Sequence, residues 1–357
     1  MANSQESELH YVLGDQLPAI GSTLQVAEGV RWLRMPLTFA LDHINLWLLR
    51  DVEVTPGGLR EGWAIVDCGI DSAATRAAWE RIFADGLQGL PVLRVICTHM
   101  HPDHVGLAHW LTERFGCRLW MSATDWNVAR QISNAPGDAH SGSLAADFYA
   151  RQGLVDATVL DKMRTRPNSY ASMVPQVPNQ YRRLMDGMRV RIGAHDWHCI
   201  VGYGHAPEHI ALHCPALNTL IAGDMVLPRI STNISVMDFE PEANPLPLFL
   251  ASIEAMLRLP ADTLVLPSHG KPFTGLHRRI RQLADHHEAR FADVLKACAE
   301  APQSAVDLLP VLFNRQLDPH QMTFALGEAV AHVHALLGDR RLQQLAGADG
   351  VLRYRCV

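Results

Sequence analysis

Thr98-His99-Met100-His101-Pro102-Asp103-His104 follows directly on the apolar run Val92-Leu93-Arg94-Val95-Ile96-Cys97. That run is short, apolar and partly β-branched, which predicts a buried strand. Three histidines and an aspartate therefore fall within six residues, where a core strand gives way to a loop. His99 and His101 are two apart, so an extended backbone turns both imidazoles to one side. Asp103 and His104 come after the turn at Pro102 and reach the same space from another direction, and Val105 to Leu111 then reads as helix. Imidazole nitrogens with a carboxylate make a donor set for zinc, and also suit iron or manganese. Histidine is abundant, 19 of 357 residues. A lone His-x-His would therefore say little, but four donors at one strand end say more.

The spacing His-x-His-x-Asp-His resembles that of the metallo-β-lactamase superfamily, whose remaining motifs lie downstream at strand ends. Gly204-His205-Ala206-Pro207-Glu208-His209 matches the Gly-His-x-Pro-x-His segment. Leu220-Ile221-Ala222-Gly223-Asp224 matches the Gly-Asp pair, and Leu264-Val265-Leu266-Pro267-Ser268-His269-Gly270 matches the last histidine before glycine. Ile65-Val66-Asp67-Cys68-Gly69 supplies the early Asp-x-Gly turn. The motifs stand in order over roughly residues 40 to 275. The departure is Glu208, where many relatives carry glycine, and it leaves every ligand position filled.

The resemblance implies an α/β fold, a four-layer αββα sandwich, holding two divalent metal ions, zinc before iron or manganese. His99, His101 and His205 would hold the first ion. Asp103, His104 and His269 would hold the second, with Asp224 bridging. A hydroxide shared by the metals would attack a carbonyl carbon. Asp103 would be the catalytic residue, orienting the nucleophile and passing a proton to the leaving group. Asp67 stands behind the ligands and either fixes one histidine tautomer or serves only its turn. His209 is expected in a supporting rather than a ligating role. Arg229 to Asn233 either line the pocket or simply connect.

The length allows a sizeable core and more than one domain. A net charge of −6 gives no electrostatic case for nucleic acid. No apolar run reaches ~18 residues, so no membrane span is expected, and the start Met1-Ala2-Asn3-Ser4-Gln5-Glu6 lacks secretory signal features. Seven cysteines, an odd number without CxxC pairs, read as buried thiols in a reducing, cytoplasmic compartment.

Strands are expected at Ile44–Leu49 and Trp63–Val66, separated by the turn signal Thr55-Pro56-Gly57-Gly58. A helix capped by Ser72 is expected over residues 71–87. Residues 1–275 read as the catalytic domain, with 125–181 as an inserted, partly helical lid rich in proline, methionine and tyrosine. That insert is expected to begin helically from Asp125 to Ile132, contains Asn134-Ala135-Pro136-Gly137-Asp138, and is expected to continue helically from Ser143 to Gly153. Residues 276–357 read as a small, mainly helical C-terminal domain: a long helix over Leu276–Glu300, another over Met322–Leu337, and a hairpin-like end. The tail resembles the winged-helix-like domain of one superfamily branch, partly through Gly327-Glu328-Ala329-Val330-Ala331-His332. His286, His287, His332 and His334 are expected to pack or face solvent.

The expected reaction is hydrolysis of a small carboxylic ester, thioester before lactone, because the apolar insert suits an acyl chain. The rival is an endoribonuclease acting on single-stranded RNA, for which Arg182-Arg183, Arg189-Arg191 and Arg278-Arg279-Arg281 would have to form a basic patch. The expected partner is a small acyl substrate, with neither nucleic acid nor membrane, and with a homodimer as the assembly allowed for.

Overall fold

The apolar run before the histidine cluster lies inside a seven-stranded mixed sheet of the computed structural model, which describes residues 3–38, 41–135, 142–313, 316–317 and 319–357. Its strands are β1 (Leu24–Ala27), β2 (Val30–Pro36), β3 (His43–Thr55), β4 (Gly58–Val66), β5 (Val92–Ile96), β6 (Arg118–Met121) and β7 (Tyr181–Arg183). The first four meander antiparallel and the rest add in parallel. A second sheet holds β8 (Arg189–Ile192), β9 (His195–Gly202), β10 (His209–Cys214), β11 (Thr219–Gly223) and β12 (Leu264–Pro267). Its neighbours are antiparallel except for the β11–β12 pair.

β3 shows why its sequence is apolar without alternation. Trp47 and Leu49 point between the sheets, where they meet Trp32, Ile96, Trp197, Leu212 and Leu266. Ile44, Leu46 and Leu48 point to the opposite face, so successive side chains enter different cores. On that outer face lie α1 (Ala73–Arg81), α3 (Ala108–Phe115) and α4 (Ala123–Ser133), which bury Trp79, Leu111 and Ala129. The short α2 (Pro102–Val105) precedes α3, so the helix expected from Val105 is interrupted at Gly106-Leu107. Ser72 caps α1 as expected, its hydroxyl accepting from the Thr75 N–H at 3.1 Å.

The insert continues through α5 (Ser143–Arg151), α6 (Ala157–Arg164) and α7 (Ser169–Met173), and α8 (Pro245–Ala255) follows the second sheet's Asp224 loop. The chain ends with α9 (Leu276–Glu300), α10 (Leu309–Leu312), α11 (Pro319–Gly338) and the hairpin of β13 (Leu342–Ala346) and β14 (Leu352–Cys356). Phe249, Ile253, Ile280, Leu283, Val330 and Leu336 cover the outer face of the second sheet in one continuous cluster. The layers are therefore helix, sheet, sheet, helix.

The insert divides between these layers. α4 belongs to the first helical layer. Phe148 and Tyr149 of α5 join the cluster of the C-terminal helices, and the Tyr149 hydroxyl donates to the Thr323 carbonyl at 3.2 Å. Tyr181, expected at the end of a lid, instead opens the parallel edge strand β7 and stacks on Trp126 of α4 at 4.2 Å. A three-residue strand carries too little pattern to be read from sequence. Pro136 to Asp138 of the segment between the first two helices of the insert lie outside the described residues. All seven cysteines are free thiols, and Cys68, Cys97, Cys199, Cys214 and Cys298 are buried. Among the described residues no helix is long and apolar enough to cross a membrane.

The two sheets are fastened at Asp51 of β3. Its carboxylate accepts from Arg94 of β5 at 2.6 and 3.2 Å and from the Gly193 N–H, between β8 and β9, at 2.9 Å. Asp51 is fully buried and Arg94 nearly so. Replacing Asp51 by alanine would strand a buried guanidinium and an amide, and removing one partner of a buried pair costs ~3–5 kcal/mol. Asp51→Ala is expected to lower the unfolding free energy by that amount; a loss below ~1 kcal/mol in equilibrium unfolding would mean that water replaces the carboxylate.

Candidate metal centre

Five strand ends converge on one edge of the sandwich. The chain after β4 gives Asp67 and the chain after β5 gives His99, His101, Asp103 and His104. The ends of β9, β11 and β12 give His205, Asp224 and His269. Parallel pairing of β4 with β5 and of β11 with β12 puts these C-terminal ends side by side. The Ile210 N–H donates to the Thr98 carbonyl at 2.8 Å and joins the two sheets at this edge.

All seven expected donors meet there. His99 Nε2 lies 2.9 Å from His101 Nδ1 and 3.2 Å from His205 Nε2, and His101 Nδ1 lies 3.1 Å from His205 Nε2. Asp103, His104 and His269 form a second group, and His99, His104 and Asp224 form a third that overlaps both. Asp224 Oδ2 is 3.3 Å from His205 Nε2 and 3.7 Å from His269 Nε2, while its Oδ1 is 3.5 Å from His104 Nε2. The carboxylate thus stands between the groups.

The outer nitrogens decide which way the lone pairs point. His205 Nδ1–H donates to the Asn233 carbonyl at 2.8 Å, and His269 Nδ1–H to the His43 carbonyl at 2.9 Å. His104 Nδ1 faces Asp67 Oδ2 at 2.9 Å. The Thr98 hydroxyl reaches Asp67 and, with its proton spent there, accepts from His99 Nδ1 at 3.0 Å. Each of these imidazoles therefore turns its other nitrogen, the one left to coordinate a cation, toward the common space. Lone pairs facing each other at about 3 Å repel unless a cation lies between them. Tetrahedral ligands at ~2.0–2.1 Å from zinc sit about 3.3 Å apart, close to the spacings here. His104 Nε2 and Asp224 Oδ1 are buried without a hydrogen-bond partner among the described residues, as a metal ligand would be.

Charge points the same way. Burial, then the neighbouring imidazoles, holds His99 well below its ordinary range, and burial lowers His101 to about 3. Burial also works against charge on His104 and His269, but there the carboxylates prevail. Asp67, Asp103 and Asp224 hold His104 well above its usual value, and Asp224 and Asp103 push His269 up to about 10. Three carboxylates, two of them buried, thus call for positive charge at this point. The donor set fits divalent cations.

Asp67 both turns the chain and orients His104. Its φ is +64°, sparsely populated for a non-glycine residue, and its carboxylate accepts from the Thr98 N–H at 2.8 Å while facing His104. His209 lies behind the site: its Nε2 accepts from the Asp224 N–H at 3.2 Å, and its ring is 5.0 Å from that of His99. Gly223 permits this approach, with φ +55° and only 2.2 Å from an added Cβ to His209 Nε2. In the 229–233 segment, the Thr232 hydroxyl donates to the Asp224 carbonyl at 2.5 Å and Asn233 holds His205.

Three supporting residues carry no local signature. Asn45 of β3 donates from Nδ2 to the Pro267 and Gly270 carbonyls at 2.7 and 2.9 Å, framing His269. His43 supplies the carbonyl to His269 and accepts the Gly270 N–H. Asp125, at the start of α4, is fully buried and ties together the two histidine loops. One oxygen accepts from the Met100 N–H at 2.9 Å, the other from the Glu208 N–H at 2.7 Å and the Ser122 hydroxyl. Burial pushes its carboxyl up to about 6, and these donors limit the rise. Glu208 closes the loop by accepting from the Thr124 hydroxyl at 2.9 Å. Only the oddity of glutamate at position 208 pointed here from sequence.

Asp125→Ala would leave two buried amides without an acceptor, each worth ~1–3 kcal/mol. The variant is expected to lose stability on that scale and to retain less metal on dialysis, because both histidine loops loosen together. Unchanged metal retention in the folded variant would show that Asp125 supports the fold but not the site.

Residues 58–269, more than half of the chain, match the metallo-beta-lactamase superfamily, and residues 291–357 match the metallo-beta-lactamase-like, C-terminal domain. Among solved structures, a beta-lactamase domain protein from Burkholderia ambifaria is 53% identical with a TM-score of 0.92, covering 99% of this chain and 100% of that one. A metallo-beta-lactamase family protein from Thermus thermophilus is 26% identical with a TM-score of 0.73, covering 92% of this chain and 99% of that one. The probable metallo-hydrolase YqjP of Bacillus subtilis (strain 168) is 22% identical over 320 residues, 88% of this chain and 94% of its own length. The chain belongs to the metallo-β-lactamase superfamily of metal-dependent hydrolases, with that superfamily's C-terminal domain at its end.

Proposed function

We propose that this hydrolase is binuclear and cleaves a small carboxylic ester, a thioester by preference and a lactone next. The observation that carries the reading is the pair of donor groups joined at Asp224. His99, His101 and His205 would hold one ion, Asp103, His104 and His269 the other, and Asp224 would serve both. Zinc suits the nitrogen-rich set best, with iron or manganese as alternatives. When bound, two such ions lower the pKa of water toward ~7 and polarise a carbonyl oxygen.

Asp103 is the most open member of the second group. Its side chain is 19% exposed, against 0% for His104 and 4% for His269, so it meets an arriving substrate first. There it orients the nucleophile and delivers a proton to the leaving group.

Apolar residues of the insert beside the histidine loop support an acyl substrate. α7 rests on the histidine loop, the Tyr170 hydroxyl donating to the Met100 carbonyl at 2.5 Å. Tyr170 and Met173 pack against the first sheet's outer core. Ribonuclease activity would need a basic groove with aromatic platforms. Arg279, from the triplet that would have built one, is buried and donates to the Leu227 and Ile230 carbonyls at 2.5 and 2.8 Å. Arg278 pairs with Glu8, and Arg182 lies over the Trp120 ring at 4.2 Å. The chain carries a net charge of −6 besides.

Asp103→Asn is expected to reduce kcat ~10²–10⁴-fold while the circular dichroism spectrum stays unchanged. Substantial turnover by the metal-loaded variant would remove Asp103 from the proton transfer. On parallel panels of acyl thioesters, lactones and single-stranded RNA at low salt, metal-dependent turnover is expected on the first two. Efficient RNA cleavage without ester turnover would hand the site to the nuclease reading. Shortening the insert between Asp125 and Tyr181 is expected to change the ratio of rates on long and short acyl chains; an unchanged ratio in a folded variant would take substrate choice away from the insert.

A further inference from the structure

Asn233, whose carbonyl holds His205, is gripped from the C-terminal region. Its Nδ2 donates to Glu328 Oε2 of α11 at 3.3 Å, and its Oδ1 accepts from the Ser235 hydroxyl at 2.8 Å. The next contacts run along the same helix. The Val236 N–H donates to the Gly327 carbonyl at 3.1 Å, and the Ser235 hydroxyl lies 3.3 Å from the Phe324 carbonyl. A Cβ at position 327 would stand 2.8 Å from that of Ser235, so glycine admits this close approach. Residues 233–236 are thus docked on the N-terminal half of α11.

This docking matters because the chain between β11 and α8 has neither helix nor strand. A carbonyl on such a segment is only as fixed as its anchors. The segment is held at Leu227 and Ile230 by Arg279 of α9, at Thr232 by the Asp224 carbonyl, and at Asn233 by Glu328. Of these anchors, the Glu328 contact is the one on the residue whose own carbonyl orients His205, and Ser235, itself docked on α11, steadies the other side-chain atom of Asn233.

We propose that Glu328 is a positioning residue for the metal centre: it fixes Asn233, and through the Asn233 carbonyl it sets the orientation of His205. The inference rests on the reading of His205 as a ligand of the first metal. Partners that hold the outer nitrogen of a ligating histidine change metal affinity ~10–100-fold. Glu328 acts one contact further out, from a helix that the sequence places over a hundred residues away from the histidine it serves.

The test uses the full chain loaded with zinc, and separately with cobalt(II). Zinc affinity is measured by competition with a chromogenic chelator, the visible spectrum of the cobalt form is recorded, and the melting temperature of each apoprotein is taken alongside. Glu328→Ala and Asn233→Ala are each expected to weaken one of two zinc sites ~10-fold or more and to shift the cobalt spectrum. The double variant should be no weaker than the worse single one, because both act through one contact. Glu328→Gln, which still offers an oxygen to the Asn233 amide, should bind zinc like the wild type. A wild-type cobalt spectrum and zinc affinity in Glu328→Ala, or losses that add in the double variant, would overturn the inference. If Glu328→Ala does not fold, Asn233→Ala decides, and wild-type affinity there is equally fatal. Failure of the wild-type chain to bind two metals would instead overturn the binuclear reading, and this inference with it.

Discussion

Seven imidazole and carboxylate donors meet here within a few ångströms, and their lone pairs repel unless positive charge lies between them. The rest of the architecture answers to that constraint. Each imidazole with an assigned outer nitrogen is fixed there by its own separate group: Thr98 for His99, Asp67 for His104, Asn233 for His205 and the His43 carbonyl for His269. Those groups are held in turn by the surrounding elements. The site is thus preorganised for cations, with the cost of crowding met by strand pairing and core burial far from the donors.

The sandwich explains why strand ends carry the donors. A strand buried on both faces leaves little room for polar side chains along its length, but the chain just past its end can turn clear of the core. β5, β9, β11 and β12 all do this at one edge. Parallel neighbours bring the same ends together, and the hydrogen bond from Ile210 to Thr98 fixes the relative height of the two sheets at that edge.

The same geometry governed what could be read from sequence. Each donor motif is contiguous, since a strand end and its loop occupy neighbouring residues. The motifs around His99, His205, Asp224 and His269 were therefore legible, as were Ser72, the Thr55–Gly58 turn and the long α9. The supports were not. Asp125, Asn45 and Glu328 act on groups far away in the chain, and a buried acid or amide in a helix or strand looks like any other until its partners are known. β7 was hidden for a different reason, being three residues long and preceded by Pro178-Asn179 in a segment of mixed texture.

The distribution of supports separates two jobs. The histidine loop and His269 depend on the sheets, through Asp67 and Asn45. The segment after Asp224 depends on the C-terminal helices, through Arg279 and Glu328. Asp125 and Tyr170 tie the insert to the histidine loop, and Tyr149 ties the insert to the C-terminal helices. The insert and the tail therefore lean on each other as well as on the donors. A shift in either is therefore transmitted to a donor loop. The outer nitrogens of His99, His104 and His269 are held by Thr98, Asp67 and the His43 carbonyl, all on or beside the first sheet. His205 differs in that its outer nitrogen is held by Asn233, on a segment with neither helix nor strand that contacts the C-terminal helices.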